Sequence, residues 1–164
     1  MDKVKKYLLR IKLHQIIIVG ISILIVMLLI QVLFNQTRWG LKANYYTNSQ
    51  WKATPSIAKI DKTPYLKGED GKTMLSTNTF SVTWTGWIAI DKPGTYQFAT
   101  ESDDGSTLQI DGKVLVDNSG AHGLKRVSKD IYLEKGLYPI EILYFQIGGY
   151  SVIKTLCTLP GETE

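Results

Sequence analysis

From Gln15 to Phe34 the chain reads QIIIVGISILIVMLLIQVLF, with no ionisable group. About 20 such residues, rising 1.5 Å each along a helix, cross a hydrocarbon core of roughly 30 Å. The pattern predicts one transmembrane helix over residues 15–34. The NQTRWGLK that follows offers no small-x-small cleavage site, so the helix reads as an uncleaved anchor rather than a signal peptide. Beyond residue 40 no helical period of useful length recurs, and apolar residues alternate with a period of two between turn signals. FSVTWTGWI sets Phe80, Val82 and Trp84 on one face, and TYQFATES does the same for Tyr96 and Phe98 after a Pro93-Gly94 turn. LQID and KVLVD flank Asp111-Gly112, a two-residue hairpin signal. In IYLEKGLYPIEILYF a turn at Glu134-Lys135-Gly136 precedes Tyr138, Ile140, Ile142 and Tyr144 on one face, and YSVIKTLCTL makes a last strand. Residues 47–79 show few alternations and are expected as a long surface connection with at most one short strand. The predicted class is all-β: an antiparallel sandwich or barrel with one N-terminal transmembrane helix.

Charge adds a direction. The net +4 resides at the N-terminus, where residues 1–40 carry six Lys/Arg against Asp2 alone, whereas residues 41–164 sum to −1. Lys3, Lys5, Lys6, Arg10 and Lys12 precede the span and Arg38 and Lys42 follow it, which puts the N-terminus in the cytoplasm and the C-terminal domain on the extracellular or periplasmic side. The domain lacks the basic footprint of a nucleic-acid binder, so nucleic acid is not an expected partner. The chain thus divides into a basic cytoplasmic segment (1–14), the anchor (15–34), a juxtamembrane linker (35–40), a β domain (41–160) and a polar tail (161–164). The single cysteine, Cys157, excludes an intrachain disulfide and a Cys-rich zinc site, and is expected as a small buried residue.

Candidate chemistry gathers in TESDDGSTLQIDGKVLVDN, residues 100–118. Asp103 and Asp104 are candidate calcium ligands, because calcium takes six to eight oxygens and paired carboxylates offset its dehydration. On a regular strand neighbouring side chains point to opposite faces, so a shared ion requires a bent backbone, which Gly105 permits. The alternative is a turn in which the carboxylates accept backbone N–H bonds. Asp111 reads as a hairpin former, Asp117-Asn118 as a cap or turn pair, and His122 as a lone exposed histidine in a Gly-rich loop. Adjacent aspartates cannot straddle a glycosidic bond, and no nucleophile elbow, zinc-protease or phosphate-loop motif occurs, so no enzyme activity is expected. Among the aromatics, Trp84 and Tyr144 are expected in the core, and Trp51 and Tyr150 are candidates for exposed stacking on a sugar.

In order, GLKANYY, FSVTWTGWI, KPGTYQFATESDDGSTLQIDGKVLVDN, KGLYPIEILYF and Gly148-Gly149 resemble the PA14 domain family over roughly residues 40–160. The resemblance implies a β-sandwich used as a binding or accessory module in adhesins, glycosidases, glycosyltransferases, toxins and signalling proteins. In the family's sugar-binding members two adjacent aspartates joined by a cis peptide hold a calcium that coordinates sugar hydroxyls. Asp103 and Asp104 occupy that pair by resemblance. An asparagine and backbone carbonyls of a later loop complete the family's shell; here the loop is QIGGY, so Gln146, one methylene longer, stands at the asparagine, with the carbonyls of Gly148 and Tyr150 as further metal ligands. The implied ligand set is Asp103, Asp104, Gln146, Gly148 and Tyr150, with Tyr150 and Trp51 on the sugar. Two readings follow: a membrane-anchored extracytoplasmic module that binds a glycan with calcium, or a non-catalytic accessory subunit that docks on a larger, polytopic membrane protein.

Overall fold

The computed structural model describes residues 2–162, with side-chain surroundings for residues 14–32 and 39–162. The basic side chains from Lys3 to Lys12 and that of Arg38, which set the expected orientation, and Thr163-Glu164 of the tail lie outside the described residues. The chain forms two compact units, Met1–Trp39 and Gly40–Glu164. The first is helix α1 (Asp2–Arg38), whose His14–Val32 stretch is long and apolar enough to cross a membrane. Its described side chains are exposed throughout, as suits a helix solvated by lipid rather than packed in a core. Because α1 runs on to Arg38, the expected linker 35–40 is helical over most of its length, and only Trp39-Gly40 precede the β domain.

The second unit has ten strands: β1 (Leu41–Tyr46), β2 (Ile57–Asp61), β3 (Tyr65–Gly68), β4 (Phe80–Ile90), β5 (Gly94–Asp103), β6 (Ser106–Ile110), β7 (Lys113–Asn118), β8 (Lys125–Leu133), β9 (Gly136–Gln146) and β10 (Ser151–Thr158). They form an antiparallel sandwich of a six-stranded sheet, β2-β1-β4-β9-β6-β7, and a four-stranded sheet, β3-β10-β5-β8. The alternation read from sequence is the packing: Phe80, Val82 and Trp84 of β4, Tyr96 and Phe98 of β5 and Ile140, Ile142 and Tyr144 of β9 are all buried between the sheets. Asp111 (φ 53°) and Gly112 (φ 72°) both take left-handed backbone, the requirement of a two-residue I′ hairpin between β6 and β7.

Two expectations need correction. Residues 47–79 hold β2, β3 and a short helix α2 (Asp70–Leu75), not one strand at most. Both strands lie at sheet edges with mostly exposed side chains, so they carry little of the alternation that betrays a half-buried strand. Cys157, expected as buried, is exposed.

Asp61, half-buried at the end of β2, serves two polar groups of the core. Its Oδ2 accepts bonds from Tyr45 Oη (2.5 Å) and Trp84 Nε1 (2.9 Å), and its Oδ1 pairs with Lys59 Nζ at 3.1 Å. Tyr45 and Trp84 are fully buried, so their donors have no water to turn to. Burial, then the bond to Asp61, pushes the Tyr45 phenol up. Replacing Asp61 by Ala orphans both donors and is expected to lower unfolding free energy by about 2–5 kcal/mol, whereas Asp130→Ala, at an exposed pair with Gln97, shifts it by less than about 0.5 kcal/mol. Denaturant melts of the two variants check this.

Candidate functional site at the Asp103–Asp104 turn

At Asp103 the chain leaves the four-stranded sheet and at Ser106 it joins the six-stranded one, so the intervening turn crosses the end of the sandwich. Gly105 makes the crossing possible. A Cβ there would come within 2.5 Å of the Phe145 ring and 2.6 Å of the Gly120 carbonyl, while the Gly105 carbonyl accepts the Phe145 N–H at 3.0 Å. The Asp103–Asp104 peptide bond is cis.

Asp104 is buried, and its carboxylate holds two loops. Oδ1 accepts the His122 backbone N–H (3.1 Å) and Oδ2 that of Ile147 (2.9 Å). Its own N–H donates to Gln146 Oε1 at 2.9 Å. Asp103 is partly exposed; desolvation, then the charge of Asp104, raises its carboxyl above the ordinary range, with His122 opposing. The turn therefore carries two carboxylates close enough to repel each other, one fixed and one at the surface.

Gln146 sits in the family-implied position. Its Oε1 accepts from Asp104 N and lies 2.7 Å from the Tyr144 hydroxyl, whose one proton is shared with the Asp103 carbonyl, and one Nε2 hydrogen goes to Gly148 O at 2.5 Å. In this arrangement Gln146 ties the turn to loop 146–150. The extra methylene carries the amide to the Asp104 backbone. Tyr144 also donates to the Asp103 carbonyl (2.6 Å), and burial followed by the Asp103 and Asp104 charges pushes its phenol up.

Tyr150 is exposed, its ring edge over Gly68, and Ile147 beside it is exposed too. Trp51 is instead half-buried: its indole N–H donates to Val82 O (3.1 Å) and its ring meets Phe145 edge-on. It is not an open stacking surface. Asp111 stays in its exposed hairpin, and Asp117 Oδ1 accepts the Ser119 N–H; the Ser119 side chain, then that N–H, hold its carboxyl low.

Thr100, Ser102 and Ser106, which the pattern did not single out, support the turn together with Asn118, expected only as a cap or turn residue. Ser106 Oγ bonds Thr100 Oγ1 (2.9 Å) and Ser102 Oγ (2.8 Å), and Asn118 Nδ2 donates to Ser102 Oγ and Lys125 O, all of these side chains being buried. The signal for them was faint: four small polar residues at inward positions of predicted strands. His122 is not a loose surface residue, since its ring nitrogens lie 2.8 Å from Gly123 O and 3.0 Å from Asn118 O. It pins loop 119–124 against Asp104.

Among the described residues no three His, Cys, Asp or Glu side chains cluster. A cation at the turn would take Asp103 and Asp104 as charged ligands and fill its shell with carbonyls and water, a donor set that fits calcium and not zinc.

The two carboxylates carry opposite expectations. Raised above its unfolded value, the Asp103 carboxyl makes its ionised form a cost to the fold above about pH 4, and that cost vanishes on acidification. In calcium-free buffer at pH 7 Asp103→Asn is therefore expected to melt at or above the parent temperature. Asp104→Asn turns an amide N–H₂ toward a loop N–H and is expected to lose about 1–3 kcal/mol. Paired thermal melts check the contrast.

Comparison with known proteins agrees with this architecture. A sequence model of the PA14 domain matches residues 37–164. Anti-sigma-I factor RsgI3 of Acetivibrio thermocellus is 33% identical over 115 residues, which cover 68% of this chain and 18% of that protein. An anti-sigma factor domain-containing protein of solved structure aligns with TM-score 0.71 at 29% identity, over 77% of this chain and 45% of the other. This chain thus spans less than half the length of either relative. The PA14 sugar-binding domain of an RTX adhesin shares the fold, with TM-score 0.62 at 18% identity, over 73% of this chain and 89% of that domain. With the model matching more than half of its residues, the chain belongs to the PA14 domain family.

Proposed function

We propose that this protein is a non-catalytic, membrane-anchored carbohydrate-binding module, in which Asp103 and Asp104 hold a calcium ion that receives sugar hydroxyls. The observation that carries the reading is the turn itself. One carboxylate is locked by two loop N–H groups and the other lies partly exposed beside it, near enough for the charge of Asp104 to weigh on it. A bound divalent cation converts that repulsion into attraction. The carbonyls of Gly148 and Tyr150 complete the shell by the resemblance to sugar-binding members, and Tyr150 and Ile147 provide an exposed apolar rim for a sugar face. Calcium supplies ligand positions for vicinal hydroxyls; the chain supplies the charge, the rim and the rigid loops.

The 33% identity with an anti-sigma factor favours a second reading, in which the domain is an accessory subunit that reports to a larger membrane-bound partner. The first reading requires saturable stabilisation by calcium: at 100 times its Kd the ion adds about 2.7 kcal/mol to unfolding free energy. Melting the full chain in nanodiscs with EDTA and then with millimolar calcium is expected to raise Tm for the parent and not for Asp103→Asn. Oligosaccharide binding by calorimetry is expected only with calcium. Equal melts with and without calcium, together with co-purification of a polytopic protein in mild detergent, would move the assignment to the second reading.

A further inference from the structure

On the six-stranded sheet the row Ala43, Trp84, Ile142 and Leu108, each paired with the next across β1, β4, β9 and β6, is fully buried. Alternation therefore turns the adjoining row, Lys42, Thr85, Glu141 and Gln109, to the outer face. Two residues further along β4, Trp87 pairs with Pro139 on that same face, with its side chain 65% exposed. These residues line an open cleft of about 600 Å³, a volume in the range of small-ligand sites. Among the described residues, none of the four polar side chains in the row hydrogen-bonds or ion-pairs with another protein group.

The cleft joins an indole to a row of donors and acceptors: Lys42 donates, Glu141 accepts, and Thr85 and Gln109 do both. One positive and one negative charge leave the row neutral. That combination matches a neutral pyranose, whose C–H face covers an aromatic ring while its hydroxyls reach the polar side chains. A peptide strand has no edge to join here, because at this row β1 is flanked by β2 and β6 by β7.

The outer face also connects the cleft to the Asp103–Asp104 turn. Gly105 lies against the Phe145 ring, and from Phe145 every second residue of β9, namely Leu143, Glu141 and Pro139, leads along that face to Trp87. The level of Ser106, Tyr144 and Val82 beside the turn is five residues of β4 from Trp87, about 17 Å. We propose, resting on the reading of the turn as a sugar site, that the cleft is a second subsite onto which a neutral glycan held at the turn continues. An open cleft with one indole holds a sugar weakly by itself. It acts on a chain already anchored at the turn, for which the second contact is intramolecular. The domain thereby selects oligosaccharides long enough to reach both subsites over mono- and disaccharides.

The test is calorimetry on the full chain in nanodiscs with millimolar calcium, comparing cellobiose with cellohexaose and xylobiose with xylohexaose. The expected result is that a hexasaccharide binds at least about tenfold more tightly than its disaccharide. Trp87→Ala is expected to bring the two within about twofold while leaving disaccharide affinity and Tm unchanged, and Trp87→Tyr to restore part of the preference. Hexasaccharide affinity undiminished in Trp87→Ala would overturn the subsite and leave the reading of the turn in place. Stabilisation by calcium without binding of any of the four sugars would also overturn the subsite alone. Absence of both calcium stabilisation and sugar binding would overturn the reading of the turn and the subsite with it. Hexasaccharide binding that survives EDTA and Asp103→Asn would make the cleft a separate site and overturn its link to the turn.

Discussion

The end of this domain that carries its chemistry is organised by one buried carboxylate. Asp104 accepts a backbone N–H from each of two loops, 119–124 and 146–150, and gives its own N–H to Gln146. These are charge-assisted bonds in a site with little water, where each contributes more than at the surface and where an unmade partner is costly. Two segments distant in sequence are thereby fixed to one turn. What stays exposed there is part of Asp103 and the side chains of Ile147 and Tyr150.

Behind that turn lies a second layer of order. Thr100, Ser102, Ser106 and Asn118 are buried hydroxyl and amide groups bonded to one another where β5, β6 and β7 converge. These bonds tie the sheet crossover together through the Asn118 Nδ2 donor, while its buried Oδ1 finds no partner. Tyr144 joins the layers, its ring in the core and its hydroxyl on both the Asp103 carbonyl and Gln146.

Much of this was legible in sequence because the sandwich obeys period two wherever a strand has one buried face. Phe80, Val82, Trp84, Tyr96, Phe98 and the Tyr138–Tyr144 series announced β4, β5 and β9, and Asp111-Gly112 announced the hairpin. The edge strands β2 and β3 were hidden, since a short strand with one or two covered residues, such as Leu66 in β3, shows too little alternation, and α2 is too short for a helical period to develop. At the site, residue types pointed to Asp103 and Asp104, but the division of labour did not show. Pattern cannot tell that Gln146 Oε1 turns back to a backbone N–H, that His122 contributes its main chain as well as its ring, or that the Trp51 indole is tied to Val82. Those outcomes are set by contacts between residues 31 to 42 positions apart for Trp51 and Gln146, and 18 for His122.

The central claim is that the Asp103–Asp104 turn binds a calcium-like ion. It is tested most directly by terbium luminescence, because the Tyr144 phenol lies one hydrogen bond from the Asp103 carbonyl and can sensitise an ion held there. Excitation of tyrosine is expected to give saturable terbium emission that calcium displaces and that Asp103→Asn abolishes. Emission that never rises above that of the free ion, or that persists undiminished in Asp103→Asn, would contradict the account.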